Sequence, residues 1–245
     1  MEAALRDYFR VNTHATDVQL DWRLSCVKRG HFYADLIEQR VGSLRGKRVL
    51  DIAAGWGAHA IAFAERGAEV VASDLYDSEF ASLKRFAENH GLNLTTCVAD
   101  CVSVPQPSAS FDVVVALELI EHIEDPKKFA AEVRRLLKPG GVCFLTTPAK
   151  LRSALSREPH YNLPLIAFLP FCFQNFIATK LFGKTYPFPI TRQYLSTAEI
   201  AKDFPGFPAQ PVLYWAAEKI AKKRIPFLRP LIERYFWKAV ILRSV

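Results

Sequence analysis

Between Lys47 and Pro148 the chain alternates short β-branched runs with helical stretches, and this constrains its fold more than any other feature. The runs are "RVLDIA", "AEVVASD", "LTTCVAD", "FDVVVAL" and "GVCFLTTP"; helical patterns such as "AIAFAER" and "PKKFAAEVRRLLKPGG" lie between them. Near-continuous apolar strands separated by helices predict a mostly parallel sheet buried on both faces. Before Lys47, apolar residues recur at three- and four-residue spacing, which predicts N-terminal helices. After Pro148 the alternation stops. Pro-rich, aromatic sequence runs from Tyr161 to about Pro189. "STAEIAKDF" then predicts a helix with Ser196 at its N-cap. "QPVLYW" and "WKAVILRSV" predict two late strands, the second closing the sheet.

Each of four successive core strands ends in an acid: Asp51, Asp74, Asp100 and Glu118. The first sits in "RVLDIAAGWGAHA", where Gly55, Gly57 and Ala60 also satisfy the G-x-G-x-x-G/A pattern of a dinucleotide site. A pyrophosphate against such a loop and the following helix N-terminus makes a carboxylate four residues upstream a liability. Asp51 therefore suits a ligand with a cationic end. A carboxylate at the second strand end can accept both hydroxyls of a ribose, and one at the third can accept from an adenine amino group. The competing explanation for any single acid is a solvated strand end, but an ordered set of four is hard to explain by packing.

These residues resemble the class I methyltransferases that use S-adenosylmethionine. The resemblance covers about Lys47 to Pro148. It implies a doubly wound, mostly parallel seven-stranded α/β sheet of Rossmann-like type, with N-terminal helices and a C-terminal helical and aromatic insertion. It gives the methionine part of S-adenosylmethionine to Asp51 and the loop of Ala53, Gly55 and Gly57. Ribose goes to Asp74 with Leu75 beside it, adenine to Asp100 and Cys101, and Glu118 completes the cofactor side. The family loop is usually G-x-G-x-G, and Ala53 stands at its first glycine. A methyl group there is tolerated if the backbone keeps an ordinary φ.

After the fourth strand, "ELIEH" supplies Glu118, Glu121 and His122. If the chain turns helically there, positions i, i+3 and i+4 share one face. Two carboxylates and an imidazole on one face could hold a divalent ion or supply a general base for a hydroxyl. The plainer alternative is a helix N-terminus with Glu121 facing the dipole. The arrangement is similar to that of the ubiquinone-biosynthesis O-methyltransferases, which act on a prenylated phenol, and of the magnesium-using small-RNA 2′-O-methyltransferases. Both resemblances imply Mg2+ at Glu118, Glu121 and His122. The second brings His160 in "REPHYNLP" as a further histidine. On this reading His122, Glu121 and His160 are the candidate catalytic residues.

The acceptor side is expected in the C-terminal third. Tyr161 to Thr179 is nineteen residues without a charge, close to a membrane span of about twenty. Pro164, Pro170, Gln174 and Asn175 argue instead for a short interfacial helix or an apolar lid. Downstream, "KKRIPFLRPLIERYFWK" interleaves cations with apolar side chains, a pattern suited to anionic lipid surfaces. From Pro211 onward eight basic residues face Glu218 and Glu233, so the tail supplies +6 of the formal +7. Together these predict a hydrophobic or lipid-linked small-molecule acceptor at an anionic membrane surface. Packing of the apolar stretch and solvation of the basic run are the bland alternative. Nucleic acid ranks lower, since the long uncharged stretch makes a poor groove for phosphates. A non-catalytic S-adenosylmethionine-binding subunit is the remaining rival, supported by Ala53.

Five cysteines without a C-x-x-C pair point to a reducing cytoplasm. The start "MEAALRDYFRVNTH" carries acidic residues early and no apolar core segment, unlike a cleaved signal peptide. The expected organisation is one methyltransferase domain: a helical cap (1–46), the cofactor core (47–148), a substrate-side insertion (149–210), and closing strands with the basic segment (211–245).

Overall fold

A computed structural model describes residues 2–13, 16–78, 80–150, 163, 165–184, 190–213 and 237–244. Strands β1 (Arg48–Ile52), β2 (Glu69–Asp74), β3 (Leu94–Val98), β4 (Phe111–Leu117), β5 (Leu137–Thr146), β6 (Ala209–Leu213) and β7 (Trp237–Arg243) form one seven-stranded sheet in the order β3-β2-β1-β4-β5-β7-β6. β1 pairs in parallel with β2 and with β4, and β2 with β3, whereas β6 and β7 are antiparallel. This is the doubly wound, mostly parallel sheet expected from the strand–helix alternation. One detail differs. The last strand does not close the sheet; β7 lies inside it and β6 takes the edge.

The chain divides into two compact units. The first comprises residues up to Ala116, Ala131–Cys143 and Ser244; the second comprises Leu117–Ala130 and Phe144–Arg243, with Val245.

In the first unit, Val49, Leu50 and Ile52 of β1 and Val113–Ala116 of β4 are buried. Strands covered on both faces have no solvent side on which to alternate. Helices α1 (Glu2–Thr13), α2 (Asp17–Val41), α3 (Ala58–Glu65) and α4 (Phe80–Asn89) belong to this unit. α2 starts on a capping box: the Gln19 amide donates to Thr16 Oγ1, and Gln19 Oε1 accepts from the Thr16 amide at 2.9 Å. α2 and α3 approach closely at Gly30, where a Cβ would lie 2.6 Å from that of Ala62. A side chain at position 30 would force the two helices apart.

The second unit contains a one-turn 3-10 helix, Ile120–His122, directly after β4. α5 (Pro126–Leu136) begins in this unit and ends in the first. The described part of the long uncharged stretch folds into a 3-10 turn (Ile166–Phe168), α6 (Phe171–Phe176) and a π turn (Ile177–Leu181), with a small core of Leu163, Ile166 and Ala178. α7 (Thr197–Asp203) follows. Ser196 occupies its N-cap with extended backbone, but its side chain makes no capping bond. Among the described residues no helix is long and apolar enough to cross a membrane.

Candidate cofactor site and acid–histidine turn

The site in the first unit starts where β1 runs out. Asp51 is 1 % exposed, and its Oδ2 has no hydrogen-bond partner. Burial, reinforced by the nearby Asp74 carboxylate and only partly offset by a hydrogen bond from the Ala60 backbone, pushes its carboxyl up to about 8. A buried acid next to a second acid keeps its proton unless a positive charge arrives. An unpartnered, desolvated acceptor oxygen fits an ammonium or sulfonium group and would repel a phosphate.

The turn after β1 holds three left-handed positions at alternate residues. Ala53, Gly55 and Gly57 all have positive φ, at 58°, 52° and 70°. At Gly57 a Cβ would come within 2.4 Å of the Leu83 side chain, so glycine is required there on two counts. Ala53 has no such freedom. The ordinary φ that would have made its methyl group harmless is absent, and the residue carries left-handed strain.

Asp74, at the end of β2, binds the turn from the side: Oδ2 accepts from the Gly55 amide at 2.9 Å and Oδ1 from the Tyr76 amide at 3.3 Å. Asp100 follows β3 and is exposed; its Oδ1 accepts from the Val102 amide at 3.0 Å. Burial, together with Asp100 beside it, raises the Cys101 thiol to about 12, so Cys101 stays protonated. Leu75, Tyr76 and Val98 present apolar surface at the same strand ends and are all more than half exposed.

Sequence reasoning missed the cover on this turn. The Arg23 guanidinium of α2 lies 4.1 Å from the centroid of the Trp56 ring, and Trp22 meets that ring edge-on at 5.3 Å. A cation over an aromatic face is attracted by the ring quadrupole. The one available signal was the tryptophan itself, wedged between two glycines in "GWG". His59, in the first turn of α3, is held neutral: burial, and secondarily Arg29, lowers its pKa to about 4.

In the second unit, the acid–histidine motif is arranged differently from the helical face its spacing predicted. Glu118 has φ +51° and donates its amide to the Thr146 carbonyl at 3.0 Å and to Thr146 Oγ1 at 3.1 Å. A left-handed residue cannot start a helix, so only Ile120–His122 turn helically and the i, i+3, i+4 face never forms. Glu118 is exposed, Glu121 is 1 % exposed, and His122 is half-buried. Among the described residues no three His, Cys, Asp or Glu side chains come together as a metal ion would require. Glu118, Glu121 and His122 therefore do not form the expected Mg2+ ligand set. His160 lies outside the described residues, as does the basic run "KKRIPFLRPLIERYFWK" except for its last two residues, which open β7.

Residues 50–145 match the family of the methyltransferase domain. The chain is 39 % identical over 112 residues to a ubiquinone biosynthesis O-methyltransferase of Idiomarina loihiensis, covering 45 % of this chain and 46 % of that protein. It is 35 % identical over 132 residues to the enzyme of the same name from Coxiella burnetii, covering 52 % and 56 %. The chain thus spans about half the length of the curated relatives it matches. Among solved structures, phosphoethanolamine N-methyltransferase 2 of Haemonchus contortus with S-adenosyl-L-methionine superposes with a TM-score of 0.57 at 19 % identity, covering 98 % of this chain and 60 % of that one. A SAM-dependent methyltransferase from Aquifex aeolicus gives 0.55 at 15 % identity, covering 91 % and 98 %. These two likenesses establish the fold. The strand order, the acid-tipped glycine turn and the sequence matches define the class: the core is that of a class I S-adenosylmethionine-dependent methyltransferase. The match to the methyltransferase domain family is confined to residues 50–145.

Proposed function

We propose that the protein transfers a methyl group from S-adenosylmethionine to a hydroxyl on a hydrophobic, phenol-like acceptor. The observation that carries this reading is the unpartnered, buried Oδ2 of Asp51. A cationic ligand end relieves a carboxylate so placed, and the resemblance gives this position to the methionine part of the cofactor. Asp74 would hold the ribose, with Leu75 beside it, and Asp100 with the Cys101 backbone the adenine. The positive-φ turn of Ala53, Gly55 and Gly57 would allow close backbone approach. The resemblance also assigns Glu118, the fourth strand-end acid, to the cofactor. The relatives named as ubiquinone biosynthesis O-methyltransferases favour oxygen as the atom modified.

S-adenosylmethionine supplies an electrophilic methyl group on a sulfonium leaving group. What the chain must add is alignment, exclusion of water and a destination for the hydroxyl proton. His122 is the residue assigned to take that proton, on a neutral imidazole nitrogen. Its part-exposed position, beside a fully buried Glu121, makes it the more available of the two. Glu121 then serves to fix the turn.

The acceptor's hydrophobic character is supported by the second unit's surface. Phe168, Phe173, Phe176, Leu181 and Phe182 are each more than half exposed. From position 159 to 198 the sequence holds no acid, while Lys180, Lys184 and Arg192 supply positive charge. Exposed aromatics beside lysines suit an anionic lipid interface, where a lipid-linked acceptor would be met.

The test pairs binding with turnover. Wild-type protein and His122→Ala are titrated with S-adenosylhomocysteine by calorimetry and incubated with labelled S-adenosylmethionine and a prenylated catechol. The expected result is equal affinity for the nucleoside and loss of methyl transfer in the variant. Lost nucleoside affinity in His122→Ala, or transfer into nitrogen rather than oxygen, would refute the assignment.

A further inference from the structure

Residues Ile190 to Tyr194 form a strap that gathers four parts of the second unit, and its bonds converge on the turn that carries His122. The Glu121 carbonyl accepts three times: from the Thr191 amide at 2.8 Å, from the Arg192 amide at 3.2 Å and from Thr191 Oγ1 at 3.0 Å. The same hydroxyl lies 2.9 Å from the Ile123 carbonyl. Two residues on, Gln193 exchanges side-chain amide bonds with Gln174 of α6 at 3.2 and 3.4 Å, and Gln174 also donates to the Leu169 carbonyl at 2.7 Å. Arg192 and the buried Tyr194 hydroxyl both donate to Asp203 Oδ2 of α7, at 2.6 and 2.9 Å. The Tyr194 carbonyl accepts from the Lys150 amide at 2.8 Å, just beyond β5.

The turn itself is short. One 3-10 turn has poor hydrogen-bond geometry and few bonds of its own; in the Ile120–His122 turn the His122 amide donates to the Leu119 carbonyl at 2.9 Å. A turn this short draws orientation from outside as well. Thr191 supplies that from both sides of His122, through the carbonyls of residues 121 and 123.

We propose that Thr191 is a positioning residue for the acid–histidine turn, and that the strap links this turn to the apolar helix α6 through Gln193 and Gln174. The proposal rests on the reading that His122 serves the acceptor. It adds that the acceptor-side surface and the proton-accepting turn are held as one piece by the strap. Engagement of α6 by a hydrophobic acceptor is then felt at His122 without direct contact. Arg192 and Tyr194, fixed on α7, give the strap its anchor.

The experiment compares full-length wild type, Thr191→Val and Thr191→Ser, all saturated with S-adenosylhomocysteine. Thr191 is exposed, so valine opens no cavity. Amide exchange over residues 118–123 is expected to rise about fivefold in Thr191→Val, the change that loss of one net hydrogen bond of ordinary strength gives. Thr191→Ser keeps the hydroxyl and is expected to exchange as wild type, and exchange in α7 and β6 is expected to stay unchanged in all three. With labelled S-adenosylmethionine and a prenylated catechol, kcat falls at least tenfold in Thr191→Val while the KM for S-adenosylmethionine stays within twofold, and serine restores kcat. Unchanged exchange at 118–123, an equal rise across the whole unit, or serine behaving as valine would overturn the strap's role. If wild type fails to methylate the catechol, the functional reading fails, and the exchange data still decide whether the strap holds the turn.

Discussion

Ala53→Gly tests whether the first position of the cofactor turn is strained. The backbone at Ala53 sits at φ +58°, where a Cβ crowds the carbonyl oxygen at a cost of about 1–2 kcal/mol. Glycine removes that cost and gives back about 0.5–1 kcal/mol through the freedom of its unfolded chain. The alanine methyl is exposed, so its removal leaves no cavity. The net expectation is a gain of about 0.5–1 kcal/mol, or roughly 2 °C in Tm for a chain of this size. Guanidinium titration followed by tryptophan fluorescence suits the measurement, because Trp22 and Trp56 both sit beside this turn. The midpoint should rise with the m value unchanged. Since the turn's conformation is already set in the free protein, affinity for S-adenosylhomocysteine should shift by less than about twofold. A midpoint that falls by the equivalent of about 0.5–1 kcal/mol would show that the left-handed conformation costs the alanine nothing, and one that stays fixed would limit the strain to what glycine gives back. A large gain in affinity would show instead that the turn must change shape to bind.

Three further outcomes follow from the same geometry. The folded Asp51 titrates near 8 against 3.8 for an unperturbed aspartate, so it holds a proton that the unfolded chain has lost between those values. Its contribution to stability is therefore fully present below about pH 4 and lost as pH rises through about 8; Asp51→Asn should be the more stable protein at pH 9 and no different at pH 4. A cationic ligand must displace that proton, so S-adenosylhomocysteine affinity should fall about tenfold per pH unit below 8, with proton release seen by calorimetry in buffers of different ionisation enthalpy; a flat profile would refute the linkage. Phe173→Glu with Phe176→Glu places two charges on the exposed face of α6 and should abolish flotation with anionic vesicles at low salt while leaving nucleoside affinity intact, whereas retained flotation would remove the lipid surface from the proposal.

The parts of this protein that could be read from sequence are those governed by local chemistry. β1 and β4 declare themselves because a strand buried on both faces is apolar at nearly every position. Asp51 is conspicuous because it interrupts such a run at its end. Gly57 is legible for a similar reason, since a turn into a helix at close approach leaves glycine as the only fit. What stayed hidden depends on a single dihedral angle or on contacts distant in sequence. Nothing in "AAGWG" says that Ala53 shares the positive φ of its glycine neighbours. Nothing in "ELIEH" says that Glu118 turns left-handed and breaks the helical register before it begins. Ser196 has the right residue type for a cap, yet the Leu195 amide is taken by Glu199 Oε2 at 2.7 Å and the serine side chain caps nothing. Arg23 reaches Trp56 across 33 positions, and Thr191 reaches Glu121 across 70.

That contrast bears on how the two halves of the proposed reaction are encoded. A positively charged nucleoside imposes the same demands wherever it binds: a desolvated acid, a tight turn and acceptors at successive strand tips. These demands fall on the strand ends of one sheet, so they leave a regular signature. An acceptor hydroxyl imposes far less, namely one proton acceptor held in one orientation. Any scaffold that fixes His122 will serve, and here a strap 70 residues downstream supplies it through main-chain carbonyls that no side-chain pattern reports. The consequence is that substitutions in "TRQY" should alter turnover more than their distance from the motif suggests, whereas changes to Glu121 that preserve its volume, such as Glu121→Gln, should leave the strap bonded, because it is the Glu121 carbonyl and not its carboxylate that Thr191 holds.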